Sequence, residues 1–388
     1  MKRIGVVWLG ILACLFAVQM ASATNVMNSV ALPSAEGKLV GSAFSSDSSR
    51  LAVVRNVAGS ETSGQRHVLQ IVDLKSGREL AHADVLNGEA SYLASSAHFI
   101  AYSPDDRYLL LATSGSDVLS ILDVGSLQTV KRFALHPDAE SRISLGEGHR
   151  YFRGVVSLAV ASKTGIFGVV THDELRDNEV FIGSFASGQI IKSWSLGRGY
   201  AYTELGHISL SLSDDGIRIA VSVLPYGNSL PKGFNNNLRL YNSGNGEMVK
   251  SIQTDDWLGQ IMILPGENIL ASRIDTPGLF SKKTCIEEWS FNTGTLGSQF
   301  CDKGRNVSVA LAVSLVAGRV VGFAAQIHKS FEGNVYAASG RVDVWDMKSG
   351  KLIASSDEIP RLGSYIQISA SGEWVMTDQA LFQFSPAP

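Results

Sequence analysis

Cysteine is scarce in this chain of 388 residues, where it occurs only three times. Cys14 lies within an apolar N-terminal stretch, which leaves Cys285 and Cys301 in the remaining chain. Neither belongs to a C-x-x-C motif, so the spacing that is typical of redox-active thiol pairs is missing. The pattern therefore favours a structural role for these two cysteines over a catalytic one.

Charged residues are also few, at 18% of the chain, and their signs nearly balance to a net charge of −3. A chain of this charge lacks the excess of basic residues that attracts phosphate backbones and anionic lipids. We therefore expect neither nucleic acid nor an anionic membrane surface as a partner. Low charge, 38 glycines and many β-branched residues together favour a strand-rich fold with tight turns.

Long apolar runs are confined to the N-terminus. A basic pair is followed by an apolar stretch at 4–18 and by the A-x-A pattern of a cleavage site at 21–23. These features predict a signal peptide over 1–23, a single domain over 24–388, and a periplasmic or secreted protein. The stretch is too short for a stable membrane span, and no second one follows. A lipoprotein signal ending at Cys14 is less favoured, because the apolar stretch continues beyond that residue.

Catalytic and metal-binding motifs are missing as well. The chain has eight histidines, none in an H-E-x-x-H or H-x-H spacing, and no G-x-S-x-G motif for a serine nucleophile. The segment His172-Asp173-Glu174 contains metal-ligating residue types, but a solvated polar loop is the simpler interpretation. We therefore expect no metal and no cofactor, and the sequence favours a non-enzymatic protein.

What the chain does contain is a phrase that returns seven times, a turn of small or polar residues followed by an apolar strand. The copies are SSDSSRLAVV (45–54), SPDDRYLLLA (103–112), ASKTGIFGVV (161–170), SDDGIRIAVS (213–222), LPGENILASR (264–273), LVAGRVVGFA (315–324) and SASGEWVMTD (369–378). Aligned on their turns, the copies recur at intervals of 51 to 58 residues. Repetition of an all-strand unit at this period is typical of propeller blades.

A second phrase, an outer hairpin, follows each of the first six copies. These copies are IVDLKSGREL (71–80), ILDVGSLQTV (121–130), FIGSFASGQI (181–190), LYNSGNGEMV (240–249), EEWSFNTGTL (287–296) and VWDMKSGKLI (344–353). The turn residues predicted to be left-handed are Gly77, Gly188, Gly246, Gly294 and Gly350, and Leu127 departs from this pattern in the second copy. Two hairpins per repeat predict a four-stranded blade.

The seventh repeat is one strand short, because only 380–384 follows its first hairpin. A spare strand is present at 25–32, directly after the predicted signal peptide. The expected fold is therefore all-β, a seven-bladed β-propeller of four-stranded antiparallel blades. We expect the N-terminal strand to complete the last blade and close the ring, which removes two exposed sheet edges.

Two short motifs connect these blades with a known family. Gly206-His207 precedes an inner strand, and Trp345-Asp346 is the single Trp-Asp pair, within the outer-hairpin phrase of the sixth repeat, whereas Asp73 and Asp123 match the Asp alone. The chain thus resembles divergent seven-bladed propellers of the WD-repeat and YVTN-repeat kind, including exported bacterial ones, over nearly all of 24–388. Most repeats lack both motifs, so the family's His–Asp–Trp network is not expected in the other blades.

The two cysteines flank one of the outer hairpins. The sequence Asn292-Thr293-Gly294 suits a three-residue loop with glycine at its left-handed position. Cys285 and Cys301 lie at equal distances on either side of Thr293, so they would face each other across the ladder within disulfide reach. Export to an oxidising compartment would allow them to pair.

Loop length differs between the two ends of the predicted strands. Turns inside each hairpin are short, whereas the connections between hairpins and between blades are long. Within blades the long connections are 56–67, 172–179, 225–237, 275–284 and 328–341, and between blades they include 136–153 and 197–206. In a four-stranded meander, both long classes emerge on one face of the disc. Long loops on a rigid scaffold commonly carry binding residues, which predicts that this face is the binding face.

Aromatic, arginine and histidine residues of these connections are the candidate binding residues, because aromatic and Arg side chains anchor protein interfaces. They are Tyr226, Phe234, Phe280, Phe331 and Tyr336 within blades, and His149, Arg150, Arg153, Arg198, Tyr200, Tyr202 and His207 between blades. Each one alone could instead pack on its own blade. Arg150 and Arg153 precede an inner strand and could meet a small anionic ligand at the channel mouth.

Two functions follow from these expectations. The favoured one is a non-enzymatic exported propeller that binds another envelope or secreted protein, or a ligand, through its long-loop face. The alternative is an enzyme, or the large subunit of one, resembling quinoprotein-type dehydrogenases or lactone-hydrolysing propellers. The alternative rests on analogy of fold alone. The adjacent cysteines that quinoprotein dehydrogenases often carry are missing here.

Overall fold

The computed structural model describes most of the chain after residue 24. The described ranges are 25–33, 37–57, 66–85, 98–113, 117–136, 153–173, 177–197, 208–223, 238–253, 257–274, 285–301, 306–329, 335–359 and 365–384. Regular structure in these ranges consists of 28 β-strands. No helix that could cross a membrane is found in this described part of the chain.

The strands form seven blades of four. Blade one contains β2 (Lys38–Phe44), β3 (Arg50–Val57), β4 (Arg66–Asp73) and β5 (Glu79–Val85). Blade two contains β6 (His98–Tyr102), β7 (Tyr108–Thr113), β8 (Val118–Asp123) and β9 (Thr129–Ala134). Blade three contains β10 (Arg153–Val160), β11 (Ile166–Asp173), β12 (Asn178–Ser184) and β13 (Gln189–Gly197). Blades four and five contain β14 (Ser209–Leu212), β15 (Arg218–Ser222), β16 (Leu238–Asn242) and β17 (Met248–Ile252); and β18 (Trp257–Leu264), β19 (Asn268–Ile274), β20 (Ile286–Ser290) and β21 (Leu296–Phe300).

The last two blades are joined at one edge. Blade six contains β22 (Asn306–Ser314), β23 (Arg319–Lys329), β24 (Val335–Asp346) and β25 (Leu352–Ser355). Blade seven contains β26 (Ile366–Ile368), β27 (Trp374–Thr377), β28 (Leu381–Phe384) and β1 (Asn25–Val30). In blades one to six the strands are hydrogen-bonded in chain order, and every pairing within a blade is antiparallel.

First strands of neighbouring blades lie side by side around the central axis. The backbone N–H of Leu210 donates to Ser157 Oγ of the preceding blade at 2.9 Å, and the backbone N–H of Ile263 donates to Ser211 Oγ at the same distance. Between blades five and six, the backbone N–H of Leu311 donates to Gln260 Oε1 at 2.8 Å. The seven four-stranded blades and these contacts confirm the predicted seven-bladed β-propeller.

The N-terminal strand closes the ring, as the sequence predicts. β1 pairs antiparallel with β28, with Met27 opposite Phe384 and Val30 opposite Leu381, and so supplies the fourth strand of blade seven. The beginning of β1 also pairs in parallel with 354–355 of β25. This strand therefore completes the last sheet and ties it to blade six, so two edges that could recruit other chains are paired.

The blades pack face to face, which requires apolar side chains on both faces of the inner strands. Residues 51–54 of β3 are fully buried. Val54 belongs to a cluster with Leu109 of blade two, whereas Val53 belongs to a cluster with Met376 of blade seven. Because successive residues of a strand point to opposite faces, this packing explains the continuous apolar runs in the sequence.

The turn between the first and second strands uses a repeated hydrogen-bond motif. In blade one, Ser45 Oγ donates to Asp47 Oδ1 at 2.6 Å and accepts the backbone N–H of Arg50 at 2.9 Å. Blades two and four repeat this arrangement from Ser103 and Ser213. The polar residues of the repeated phrase therefore close the turn, and the apolar residues after them enter the core.

The turn between the third and fourth strands has its own motif. Asp73 Oδ1 accepts the backbone N–H of Ser76 at 2.7 Å and its hydroxyl at 2.5 Å. Blade two repeats this motif, and its Leu127 has a φ of 54°, the left-handed conformation that Gly77 provides in blade one. Such a conformation costs a non-glycine residue about 1 kcal/mol. Leu127 is buried in the cluster that contains Val124, and this burial offsets the cost.

The single Trp-Asp pair serves structural roles within blade six. Asp346 Oδ1 accepts the backbone N–H of Ser349 at 2.7 Å, so this carboxylate closes its own turn. Trp345 is fully buried, and its indole N–H has no hydrogen-bond partner among the described residues. The hydrogen-bond network that the family resemblance implies is therefore not seen at this tryptophan in the described structure.

The disulfide predicted for blade five is present. Cys285 and Cys301 are bonded, with their Cα atoms 4.7 Å apart. The hairpin loop is longer than the expected three residues, because the backbone N–H of Ser290 donates to the carbonyl of Thr295. A bulge after Glu287 then shifts the register by one residue and brings the two cysteines opposite each other.

Blade six differs from the prediction at the connection expected over 328–341. Most of that segment is strand, because β23 continues to Lys329 and β24 begins at Val335. The two strands remain paired to their tips, with His328 opposite Tyr336. The expectation of a long loop here is therefore wrong, since backbone pairing between the two strands extends the hairpin beyond the length of the other blades.

Candidate binding face

The ends of the strands define two different faces. The tight-turn face carries the two hairpin turns of each of the first six blades, such as 45–49 and 74–78 in blade one, and the single hairpin turn 369–373 of blade seven. The long-loop face is the opposite face, where second strands end, third strands begin and the chain passes between blades. Its connections within blades are 58–65, 114–117, 174–177, 223–237, 275–285, 330–334 and 378–380. Between blades it has 86–97, 135–152, 198–208, 253–256, 301–305, 356–365 and 31–37.

Most of the predicted binding residues lie outside the described residues. These are His149, Arg150, Arg198, Tyr200, Tyr202, His207, Tyr226, Phe234, Phe280 and Phe331. Arg153 is the first residue of β10 and pairs with Asp173, which places its backbone where an inner strand begins on the long-loop face. Tyr336 lies in β24 and not in a loop. The assignment of these residues to a binding site stays a prediction.

Buried polar side chains fix the base of a connection in blade three. His172 Nδ1 lies 2.7 Å from Asn178 Oδ1, and both residues are buried. They stand at the end of β11 and the start of β12, so this contact joins the two strands where the connection 174–177 begins and ends. The expectation of a solvated polar loop is therefore wrong for His172, which is a buried residue of β11. No cluster of three metal-ligating side chains occurs in the part of the chain that the structure describes.

Blade one has a similar base. Asn56 and His67 are opposite each other in the ladder at the end of β3 and the start of β4, and both are buried. Burial lowers the pKa of His67, which favours the neutral imidazole. The connection 58–65 therefore begins and ends on a rigid pair of strands.

In blade five the disulfide holds the base of a connection of the long-loop face. Cys285 is the last residue of the connection within the blade, and Cys301 is the first residue of the connection to blade six. Two residues further into the blade, Gln299 Nε2 donates to the buried Glu287 Oε1 at 3.0 Å. A covalent bond and a hydrogen bond thus hold together the strands from which two connections of the long-loop face start.

An ion pair fixes the base of the extended hairpin in blade six. The Asp343 carboxylate is fully buried, and its Oδ1 accepts the guanidinium Nε–H of Arg341 at 2.7 Å. The hydroxyl of Ser355 donates to the same oxygen at 2.6 Å. A buried carboxylate needs such partners, because an unpaired charge in the interior is costly. Sequence analysis missed this pair, although Arg-x-Asp inside an apolar β-prone segment is a usable signal.

The second and third strands of blade seven do not project beyond a tight turn on the long-loop face. Its second and third strands are joined by a tight turn, in which the backbone N–H of Thr377 donates to the carbonyl of Ala380 at 2.9 Å. Burial raises the pKa of Asp378 in this turn, and the nearby Lys38 partly opposes that shift. The face is therefore uneven, with the tall hairpin of blade six next to the short turn of blade seven.

The described inner strands offer few charged groups to the channel. The residues of β14 and β26 are uncharged, and Ser209 and Ser211 of β14 are used in contacts between blades. Lys38 and Arg153 stand at the ends of inner strands on the long-loop face. The backbone positions of these two residues are all that the structure adds here, and an anionic ligand at this mouth stays a prediction.

The ends of the described chain lie on the opposite side. Met27 of β1 is opposite Phe384, the last residue of β28, and this pair stands at the tight-turn end of blade seven. Both termini of the described chain therefore leave the ring on the tight-turn face. A tether at the C-terminus presents the long-loop face to solution.

Comparison with known proteins supports the fold and nothing finer. No protein-family model matches the chain, and no curated protein matches it. A chain in the crystal structure of the mitotic checkpoint complex superposes with a TM-score of 0.55 at 15% identity, covering 93% of this chain and 90% of that one. The structure of U3-55K gives a TM-score of 0.58 at 12% identity, covering 94% and 99%. The chain is thus similar in fold to known β-propellers, as its WD-repeat-like sequence features predict.

Proposed function

We propose that this protein is a non-enzymatic exported propeller that binds another envelope or secreted protein through its long-loop face. One observation carries the proposal, namely the difference between the two faces. Every connection on the tight-turn face is short, whereas more than half of the connections on the long-loop face are longer, and several of them begin and end on fixed strand pairs. Propeller folds commonly serve as interaction scaffolds, and binding residues usually lie on loops held by such a scaffold.

The cellular location is part of the same proposal. A signal peptide over 1–23 would be removed, and the domain over 24–388 would be released to the periplasm or the exterior. The disulfide between Cys285 and Cys301 supports an oxidising compartment, because such bonds persist there. N-terminal sequencing of the purified native protein tests the cleavage site, and a retained Met1 would contradict it.

The binding experiment uses the chain tethered through its C-terminus and exposed to the native envelope fraction, followed by chemical cross-linking. Alanine substitutions at Tyr226, Phe234 and Arg153 are expected to remove the captured partner, because aromatic and arginine anchors dominate interface energetics. The control is Val316→Ser, which changes a residue that is 85% exposed on the tight-turn face. Retention of every partner by the triple variant, or loss of the partner in the control, would contradict the proposal.

A small anionic ligand at the channel mouth is a second, separate part of the proposal. It is supported by the position of Arg153 at the start of an inner strand, with Arg150 three residues before it. Isothermal titration with citrate and with inorganic phosphate tests it. Binding that is lost in Arg153→Gln supports a ligand at this mouth, whereas the absence of binding, or binding unchanged in that variant, contradicts it.

The enzymatic alternative rests on analogy of fold and has no supporting observation in the described residues. Metal analysis and an absorption spectrum of the purified native protein distinguish the two proposals. One metal ion or one quinone per chain would overturn the non-enzymatic proposal. Hydrolysis of a panel of lactones, at a rate above that of the heat-denatured protein, would do the same.

A further inference from the structure

The disulfide of blade five joins a buried cysteine to an exposed one. Cys285 is only 6% exposed, whereas Cys301 is an exposed residue at the start of the connection 301–305. The ladder pairs Ile286 with Phe300, so the bond lies directly beyond the last pair of β20 and β21. A thiolate must reach the sulfur atom that it attacks, and Cys301 is therefore the accessible end of this bond.

The strand that leads to Cys301 has few buried contacts of its own. β21 is the outer strand of blade five, and among the described strands it pairs only with β20. Residues 296–299 are all exposed, which leaves Phe300 as the one buried residue of this strand. The outer strands of blades one, three and four have partly buried residues in addition to a buried one. The position of β21 therefore depends on its single ladder, on Phe300 and on the disulfide.

Phe300 packs in the seam between blades five and six. Its side chain is fully buried in a cluster with Ile286 of its own blade and with Leu311 and Trp345 of blade six. Because Cys301 directly follows Phe300, the disulfide limits how far this side chain can leave the seam. A cross-link of this kind removes open conformations of the segment that it closes, so its loss makes local opening more frequent.

We propose that the disulfide of blade five is a redox switch, which a dithiol reductant opens by attack at Cys301 and which controls the release of β21. This inference goes beyond the proposed binding function and does not depend on it. Exposed disulfides are commonly the labile or regulatory ones, whereas inaccessible ones resist reduction. Because the connections 275–285 and 301–305 contain the two cysteines, reduction also frees one end of each connection on the long-loop face.

The reaction is a pair of thiol–disulfide exchanges. A thiolate of the reductant attacks Cys301 Sγ, and the bond to Cys285 breaks. The electron pair leaves on Cys285 Sγ, which takes up a proton. The second thiol of the reductant then attacks the reductant sulfur of the mixed disulfide and releases Cys301 as the thiol. The reductant becomes a disulfide, and the protein gains two electrons and two protons.

The first experiment locates the attack on the native, oxidised chain. Glutathione, a monothiol, is added under conditions that leave the circular dichroism spectrum unchanged, followed by acid quench, alkylation in denaturant and peptide mass spectrometry. The expected adduct has glutathione on Cys301 and the alkyl group on Cys285. Dithiothreitol is expected to reduce both cysteines under the same conditions, because its second thiol resolves the mixed disulfide. A glutathione adduct predominantly on Cys285 would overturn the inference, as would resistance of the folded protein to dithiothreitol.

The second experiment measures what the bond controls. Amide hydrogen exchange is compared between the oxidised and the dithiothreitol-reduced chain. Exchange at 297–300 of β21 is expected to accelerate at least about tenfold more than exchange at 352–355 of β25, because local opening of β21 is no longer limited by the cross-link. β25 is a matched control, since it is the corresponding strand of blade six and contains no cysteine.

A variant without the bond provides a second route to the same comparison. The double variant Cys285→Ala, Cys301→Ala is expected to exchange like the reduced protein at 297–300 and to be insensitive to dithiothreitol. If this variant does not fold, the comparison of the oxidised and reduced native chain decides the question.

The outcomes separate this inference from the proposed function. Equal exchange at 297–300 in both redox states, or an acceleration that is uniform over all blades, would overturn the switch. Neither experiment uses a binding partner, so such results leave the proposed protein-binding function standing. Conversely, a failure to capture any partner on the long-loop face would contradict the proposed function and leave the redox switch unaffected.

Discussion

Asp106 is predicted to hold blades one and two together on the tight-turn face. Its carboxylate accepts three hydrogen bonds from blade one, from the backbone N–H of Ser46 at 2.7 Å, the hydroxyl of Ser46 at 2.8 Å and the backbone N–H of Asp47 at 3.3 Å. The guanidinium of Arg50 lies 4.0 Å away. Asp106 is buried and has a φ of 57°, which is left-handed for a residue with a side chain.

The size of the effect follows from these contacts. A hydrogen bond to a charged group contributes about 1.5–3 kcal/mol, and the third bond here is long. We expect Asp106→Ala to lower the free energy of unfolding by about 3 kcal/mol. Asp106→Gly loses the same hydrogen bonds but removes the left-handed strain of about 1 kcal/mol, so it should be less damaging than alanine. Asp106→Asn keeps part of the hydrogen bonding and should be the mildest of the three.

Urea unfolding followed by tryptophan fluorescence measures these differences, with the exposed Lys348→Ala as control. The expected order of stability is Asn, Gly, then Ala. A loss below about 0.5 kcal/mol in Asp106→Ala would be within the range of ordinary surface changes and would refute the reasoning. Equal losses for Gly and Ala would show that the left-handed conformation is not a source of strain.

Three further predictions concern the disulfide of blade five, the strand that closes the ring and the carboxylate of Asp378. Cys285→Ser should lower the free energy of unfolding by about 3 kcal/mol without reductant and by little with dithiothreitol, since the bond closes a loop over a separation of 16 residues. Deletion of 25–30 should expose one edge of β28 and cause aggregation on size-exclusion chromatography, and a synthetic peptide of 24–32 should reduce this aggregation. Burial raises the pKa of Asp378, so the protonated carboxyl favours the folded state. This contribution to the free energy of unfolding is fully present below the pKa of the unfolded chain and is lost as pH rises through the folded pKa. The change in melting temperature from the native protein to Asp378→Asn should therefore be more favourable at pH 7 than at pH 4.

The blades could be predicted from sequence because their determinants are local. In blades one, two and four the first turn places its serine and carboxylate within a few residues, as Ser45 and Asp47 do, and the second strand is an apolar run such as 51–54. The missing strand of blade seven could be predicted by counting, because every blade needs four. The cysteine pairing followed from hairpin symmetry, although a bulge and not a three-residue loop sets the final register.

Contacts between blades could not be read from the sequence. Asp106 bonds to Ser46, 60 residues away, and nothing in the turn sequence distinguishes it from a solvated aspartate. The extension of the blade-six hairpin into the expected connection 328–341 could not be predicted for a related reason. Gly340 and the small residues before it favour a turn locally, whereas pairing with β23 over its whole length keeps them in a strand. The candidate binding residues depend on the same kind of distant contacts, so only their face could be argued.

Cross-linking mass spectrometry of the chain in its native envelope fraction tests the central claim most directly. The claim is that a partner protein binds the long-loop face. The account predicts intermolecular cross-links at the connections of that face and at the tip of the extended hairpin of blade six, around Lys329. Intermolecular cross-links confined to lysines of the tight-turn face, such as Lys75, Lys163 and Lys348, would contradict it.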